Sequence, residues 1–501
     1  MDVRAEVTRL RHDLAHVLRI SDESPNLDFY LSSVTEHNPF TAIEDVVHWL
    51  ESLNSEQYFD VERIALDEMR NWRFDAVTGD LCHDSNRFFS IRGLKVRSNI
   101  GPVTEWTQPI IHQPEIGVLG ILTKKVDGIL YLLMQAKAEP GNLSTFQLAP
   151  TVQATRSNYT RVHGGKSSKY LEYFLEDGHA ETLIDQLQSE QGARFYRKRN
   201  RNVIVRVRDD DAIEAGPNFR WLTLGQIRQL ARRDDTVNMS ARSVLSCISY
   251  DTERKLRVDP VREDELLDCL GSSPLAAQPV DRLAVKLMVS AHGNSPALLS
   301  REQLLRRISR QKFGVELDTQ LIPLQDVQQW HKTRDEISHV DGKFFSVIGV
   351  RVSASGREVS AWDQPIVKQV DPGLVGFITR EVDGVLHFLV QLKMESGNMD
   401  VLQLAPTVQC ITGNYEEGAR PPYVDEVLAP TTTEILLDTS QSEEGGRFFK
   451  EANRNVLLVA GEAFPLDELP RYVWMSKRQL DLFLQLGNFL NVEARSLISI
   501  L

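Results

Sequence analysis

Apolar residues at three- and four-residue spacing predict an amphipathic helix over Val3 to Ile20, with Val7, Leu10, Leu14, Val17 and Leu18 on one face. Ala42 to Leu53 and Val61 to Trp72 carry the same period, and Leu283 to Ser290, Glu302 to Ile308 and Val327 to Trp330 repeat it further along. The pattern then changes. Phe88 to Val96 alternates as a half-buried strand does, and Val118 to Thr123 leads into Val126-Asp127-Gly128-Ile129, a hairpin with Asp-Gly in its turn. Ile129 to Lys137 stays extended up to a turn at Pro140-Gly141-Asn142. Gln147 to Thr155 is another extended run, whose proline places it at an edge or a bend. Thr223 and Ser476 stand where N-caps precede LGQIRQL and KRQLDLFLQL. Helices flanking a strand-rich middle read as α+β, with mixed or antiparallel sheets.

The strand-rich middle occurs twice. Gly117 to Tyr159 aligns without a gap to Gly373 to Tyr415, with about half the positions identical. The same offset pairs Trp106 with Trp362, Gln108 with Gln364 and His83 with His339. Further on, QSEQGARFYRKRNRN matches QSEEGGRFFKEANRN, Trp221 matches Trp474, and Asn238-x-x-Ala241-Arg242-Ser243 matches Asn491-x-x-Ala494-Arg495-Ser496. A chain of 501 residues exceeds what one core usually organises, so two units are expected, residues 1–255 and 256–501.

Composition narrows the partners. The formal charge is -13, with 57 basic against 70 acidic residues, which opposes nonspecific nucleic-acid binding. Apolar runs such as Ile129 to Met134 fall far short of the ~20 residues that cross a bilayer, and MDVRAEVTRLRHDL lacks a signal-peptide core. No membrane partner and a cytoplasmic location are the expectation. Cys82, Cys247, Cys269 and Cys410 show no CxxC spacing, so neither disulfides nor a zinc site is expected. A phosphate-binding loop, a dinucleotide glycine fingerprint, HExxH and GxSxG are all missing, so no cofactor and no metal are expected.

Against that background the duplicated polar residues stand out. Gln135, Lys137 and Glu139, with Gln391, Lys393 and Glu395, share one strand face, either a solvated ladder or a polar pocket floor where Lys or Glu moves a proton. Gln147, Thr151, Gln153, Thr155, Arg156, Ser157, Asn158 and Tyr159 crowd one segment, and its copy keeps Gln403, Thr407, Gln409, Asn414 and Tyr415. Such groups suit sugar hydroxyls, carbonyls and base edges, or they close a hydrogen-bonded turn. Tyr159 and Tyr415 are also general-acid candidates. Arg194 with Arg447, and Arg201 with Arg454, follow Gly192 and Gly445-Gly446 and offer planar forks to a diphosphate. Trp72 and Trp330, read as ending helices, either stack on a nucleobase or fill the core. His83 and His339 are outside candidates for proton transfer.

MQAKAEPGN...QLAPTVQATRSNY and VQLKMESGN...QLAPTVQCITGNY, with the trailing GARFYRKRNRN and GGRFFKEANRN blocks, resemble the duplicated signature of the NDP-hexose 2,3-dehydratases. The resemblance covers nearly the full length. It implies a tandem duplication of a Nudix-like mixed-sheet domain with flanking helices, a nucleotide-sugar site in each half, and commonly a homodimer. It also implies dTDP-4-keto-6-deoxy-D-glucose as substrate and a 3,4-diketo-2,6-dideoxy sugar nucleotide as product, passed to a 3-ketoreductase. On matching positions it assigns substrate binding to Trp72, Thr155, Arg156, Ser157, Asn158, Tyr159 and Arg194. In the second half the positions are Trp330, Lys393, Gln409, Asn414, Tyr415, Gly446 and Arg447. Proton transfer falls to Lys137, Glu139 and Tyr159, or to Lys393, Glu395 and Tyr415. Neither copy carries the Nudix glycine and glutamate signature that holds magnesium, which argues against hydrolysis. A non-catalytic nucleotide-sugar-binding protein and a Nudix-type pyrophosphatase are the alternatives.

Overall fold

A computed structural model describes residues 2–155, 169–176, 178–250, 259–355, 359–415 and 420–501. The hairpin turns form as expected: Asp127 and Gly128 take φ of 51° and 87°, and Asp383 and Gly384 take 51° and 75°, the left-handed pair that a tight two-residue turn requires. Each hairpin centres a seven-stranded mixed sheet. In the first repeat Gly117–Val126 pairs in parallel with Arg199–Arg206, whose other edge takes Glu181–Ser189 antiparallel. In the second, Gly373–Val382 pairs in parallel with Ala452–Ala460.

The proline-containing run is a bend between two neighbours. Beyond Leu122↔Leu133 the two hairpin strands part, and the run fills the wedge: Phe146–Ala149 pairs with Ile129–Ala138, and Val152–Ala154 pairs with Gly117–Val126. Thr151 sits in the fork, its hydroxyl accepting from Leu122 N at 2.9 Å and donating to Leu133 O. Thr407 does the same between Ile378 N, at 2.9 Å, and Leu389 O. The duplicated Leu-Ala-Pro-Thr therefore has a structural cause. Thr151→Val leaves the buried Leu122 N–H unpaired and should cost about 1–3 kcal/mol, read as a lowered denaturation midpoint that Thr151→Ser restores.

Helices occupy Val3–Val17, Ile43–Glu56, Arg282–Ala291 and Arg301–Phe313, near the expected spans. Thr223 and Ser476 close capping boxes on Leu224–Ala231 and Lys477–Leu484. Among the described residues no helix is long and apolar enough to cross a membrane.

Two expected helices are absent. Val61 to Trp72 is instead strand Phe59–Ile64, a short 3-10 turn Leu66–Glu68, and strand Trp72–Phe74; Val327 to Trp330 leads into strand Trp330–Lys332. Helical spacing here arises because a strand, a turn and a second strand each bury one side chain, and tertiary pairing overrides local pattern. That pairing crosses between repeats. Phe59–Ile64 lies antiparallel to Phe345–Ala354 of the second repeat, and Leu317–Ile322 lies antiparallel to Ser90–Ser98 of the first. Each repeat thus completes the other's five-stranded sheet.

Buried arginines reinforce the exchange. Asn238 and Asn491 cap Met239–Ser246 and Val492–Ser499, which places Arg242 and Arg495 at the junction. Arg242 donates to Gln441 Oε1 at 2.7 Å and to Ser442 O at 2.5 Å, and Arg495 donates to Gln188 Oε1 at 3.1 Å and Ser189 O at 2.6 Å. The repeated Asn-x-x-Ala-Arg-Ser motif is a clamp between halves.

Candidate active site

The turn after each long hairpin strand docks on a loop of the opposite repeat. Gly141 N donates to Gly445 O at 2.7 Å and Lys450 N donates to Gly141 O at 2.7 Å; Gly397 N donates to Gly192 O, and Arg197 N to Gly397 O, both at 2.7 Å. Only glycine allows this approach: a Cβ built on Gly141 would stand 1.6 Å from Phe448 O, and one on Gly397 2.0 Å from Phe195 O. Phe195 and Phe448 meet edge to face, 5.9 Å apart, where the two docked loops come together. The duplicated Gly-Asn and Gly-x-Arg blocks therefore bring residues of one half onto the sheet of the other.

One consequence is a cavity of about 560 Å³ over the splayed strands of the first repeat, within the range that encloses a small organic ligand. Its floor holds Gln135, Lys137, Glu139, Gln153 and Thr155. In the first repeat the Gln-x-Lys-x-Glu face is thus a pocket floor rather than a solvated ladder. Gln153 Nε2 donates to Glu139 Oε1 at 2.9 Å, Lys137 Nζ lies 3.7 Å from the same oxygen, and Asn238 Nδ2 orients Gln153 at 3.3 Å. Trp72, His83, Phe88 and Phe89 form an aromatic wall, and Glu444, Gly446 and Arg447 enter from the second repeat.

Arg447 lies over the Phe89 ring, 4.0 Å from its centroid, and reaches Gln113 Oε1 at 3.2 Å and 3.3 Å. Gly446 O accepts from Gln364 Nε2 at 2.8 Å, and Gln364 Oε1 in turn accepts from Trp362 Nε1 at 2.9 Å. Lys198 also lines the cavity, its ammonium donating to Glu115 O, and burial lowers its pKa. Burial likewise lowers the pKa of the Arg447 guanidinium. Trp72 starts a strand instead of ending a helix, and its indole N–H donates to Asp363 O of the other repeat at 2.8 Å. Its ring packs on His83 and Phe89 at 5.3 Å and 5.0 Å.

The second-repeat candidates follow the same plan. Lys393 Nζ donates to Gln409 O at 3.0 Å, Gln409 Nε2 donates to Glu395 Oε1 at 2.9 Å, and Gly192 N donates to Glu395 Oε2 at 3.1 Å. Arg194 lies over the Phe345 ring at 4.3 Å, and Trp330 packs on His339 and Phe345 at 5.5 Å and 4.7 Å. Asn414 Oδ1 accepts from Phe344 N at 3.2 Å, and the neighbouring Tyr415 is 41% exposed. Charge separates the two places. Glu451 and Glu493 stand where the first repeat has Lys198 and Ser240. Both Glu451 oxygens are buried without a hydrogen-bond partner, and burial pushes its carboxyl up to about 7 and that of Glu493 well above the usual range.

Some expected roles change. Arg201 pairs with Asp185 at 2.7 Å and Arg454 with Asp438 at 2.6 Å, across neighbouring strands and outside the cavity. Gln147 is wholly buried and donates to Asp235 O at 2.8 Å and Ser442 Oγ at 3.0 Å, a structural bridge between repeats. Arg156, Ser157, Asn158 and Tyr159 lie outside the described residues. Gln113, Trp362, Gln364 and Glu444 line the cavity without having been assigned to it; the retained Trp-x-Gln pair was the visible signal for Trp362 and Gln364.

Known proteins match this chain along most of its length. A family model for NDP-hexose 2,3-dehydratases matches residues 43–248 and 301–501. A dTDP-4-dehydro-6-deoxy-alpha-D-glucopyranose 2,3-dehydratase of Saccharopolyspora spinosa is 41% identical over 454 residues, 90% of this chain and 89% of that protein. A protein of the same name from Amycolatopsis orientalis is 41% identical over 477 residues, 94% and 92% of the two chains. Another from Streptomyces violaceoruber is 40% identical over 455 residues, 90% and 95%. With both halves of the family match falling on the two interlocked repeats, the chain belongs to the NDP-hexose 2,3-dehydratase family.

Proposed function

We propose that this protein is a hydro-lyase that takes dTDP-4-keto-6-deoxy-D-glucose to the 3,4-diketo-2,6-dideoxy sugar nucleotide, and that the reaction occurs in the first-repeat cavity. Family membership supports the reaction, and the cluster of Lys137, Glu139 and Gln153 facing Arg447 supports the place. A C4 ketone acidifies the C3 proton. A base removes it, negative charge moves onto the C4 oxygen, and the C2 hydroxyl leaves with a proton as water; the enol then tautomerises to the diketone. No net redox change occurs. Each proton-transfer group contributes about 10²- to 10⁴-fold and an oxyanion donor about 10²- to 10³-fold, so several groups must converge. Lys137 is suited to the C4 oxygen, and Glu139, held by Gln153, belongs to the proton-transfer set with Tyr159.

Arg447 and Lys198 favour a diphosphate in this cavity, whereas the counterpart place in the second repeat, where Lys393, Glu395 and Tyr415 lie, has Glu451 in the position of Lys198 and so lacks that cation. The reading extends to two Nudix-like units over residues 1–255 and 256–501, each built on a mixed sheet with one parallel pair. It also extends to a cytoplasmic homodimer working ahead of a 3-ketoreductase.

The test is incubation with the 4-keto sugar nucleotide, NADPH and a 3-ketoreductase in D₂O. The expected product is a 2-deoxy sugar nucleotide carrying deuterium at C2. Sugar that binds but returns unchanged identifies a binding protein, and magnesium-dependent release of nucleoside monophosphate identifies a pyrophosphatase.

A further inference from the structure

The loop that each repeat lends to the other differs at one chemically telling position. Gln-Ser-Glu is followed by Gln191 in the first repeat and by Glu444 in the second. The turn is the same in both: Arg194 N donates to Gln191 O at 3.0 Å, and Arg447 N donates to Glu444 O at 2.9 Å. Gln191 uses its amide to donate to Glu493 Oε1 at 2.9 Å, which leaves that turn with no proton acceptor of comparable strength. Glu444 instead lines the cavity beside Lys137 and Glu139. A Cβ built on Gly446 would stand 3.5 Å from Glu139 Oε1 and 3.6 Å from Glu444 Oε1, so the two carboxyls converge beside that glycine.

Their surroundings divide the work. Glu139 accepts from Gln153 at Oε1, 3.7 Å from the Lys137 ammonium, so that oxygen is already engaged by the pocket floor. Among the described residues no hydrogen bond reaches the Glu444 side chain, and it faces Glu190, Glu139, Arg447 and Lys198. Resting on the dehydratase reading, we propose that Glu444 is the general base that removes the C3 proton. Its carboxylate takes the proton, the C3–H electron pair moves toward the C4 oxygen, and return of that pair expels the C2 hydroxyl, which departs with a proton as water. No oxidant or reductant is needed. Burial and the charges of Glu190 and Glu139 outweigh Arg447 and Lys198 and push the Glu444 carboxyl up to about 7, close to where a general base works best. The carboxylate form prevails above that value, so turnover should fall as pH drops through it.

Glu444→Gln tests this, and the equivalent turn already carries glutamine at Gln191, so the amide is compatible with the fold. Turnover and C3 deuterium exchange in D₂O should both fall by about 10²- to 10⁴-fold, while the Kd for thymidine diphosphate changes by less than about threefold. Glu444→Asp should recover part of the rate with a shifted acid limb in the pH profile. Wild-type turnover in Glu444→Gln, retained C3 exchange, or a loss of binding equal to the loss of turnover overturns the assignment. A wild-type protein that binds the sugar nucleotide but neither exchanges C3 nor eliminates water overturns the dehydratase reading itself, and needs no variant to be seen.

Discussion

Lys137→Met lowers kcat by about 10²- to 10³-fold and leaves KM nearly unchanged, because an ammonium aimed at a developing enolate oxygen acts mainly in the transition state. The methionine keeps most of the stem that lies along the strand Ile129–Ala138 while deleting the charge 3.7 Å from Glu139. Lys393→Met, which removes the matching ammonium in the second repeat, leaves kcat within about twofold, since it takes nothing from the reacting atoms. Steady-state kinetics of the coupled assay compares the two. Equal losses would place chemistry in both repeats, and no loss from Lys137→Met would remove this side chain from the mechanism.

Gly141→Ala gives the largest expected loss of stability. Its Cβ would fall 1.6 Å from a backbone oxygen of Phe448 and 2.8 Å from Gly445 O, and neither can swing aside as the end of a flexible side chain would. The docked loops must part, breaking the hydrogen bonds from Gly141 N to Gly445 O and from Lys450 N to Gly141 O. A cost of about 3 kcal/mol or more is expected, at or above the usual upper end for overpacking. Gly461→Ala is the control: nothing lies within 4 Å of its added Cβ, and its expected change is no worse than about 0.5 kcal/mol. Urea denaturation midpoints separate these outcomes, and a Gly141→Ala protein as stable as Gly461→Ala would contradict the docking of Gly141 on the Gly445–Phe448 loop.

The duplicated hairpins, the caps at Thr223 and Ser476 and the bend at Pro150 were legible because each is written in neighbouring residues. The shared face of Lys137 and Glu139 was legible because they alternate with Ala136 and Ala138, but whether that face met solvent or a pocket was not. The strand Phe59–Ile64 was not, because its partner, Phe345–Ala354, lies in the other repeat and local spacing imitates a helix. Glu444 escaped for the same reason, and Arg447, expected in a second-repeat site, joins Lys137 of the first through the contacts at Gly141. Gln147 and Thr151 looked like ligand-binding groups, yet their hydrogen bonds serve the backbone fork and the junction.

The exchanged strands also constrain how the protein is made. Phe59–Ile64 leaves the ribosome long before Ala354 does, and at about 5–20 residues per second the wait is some tens of seconds. During that interval the strand has open hydrogen-bonding edges, and Ser90–Ser98 likewise awaits Leu317–Ile322. Two nascent chains on one message can satisfy those edges with each other, so premature termination inside the second repeat yields a sticky fragment rather than a working half-enzyme.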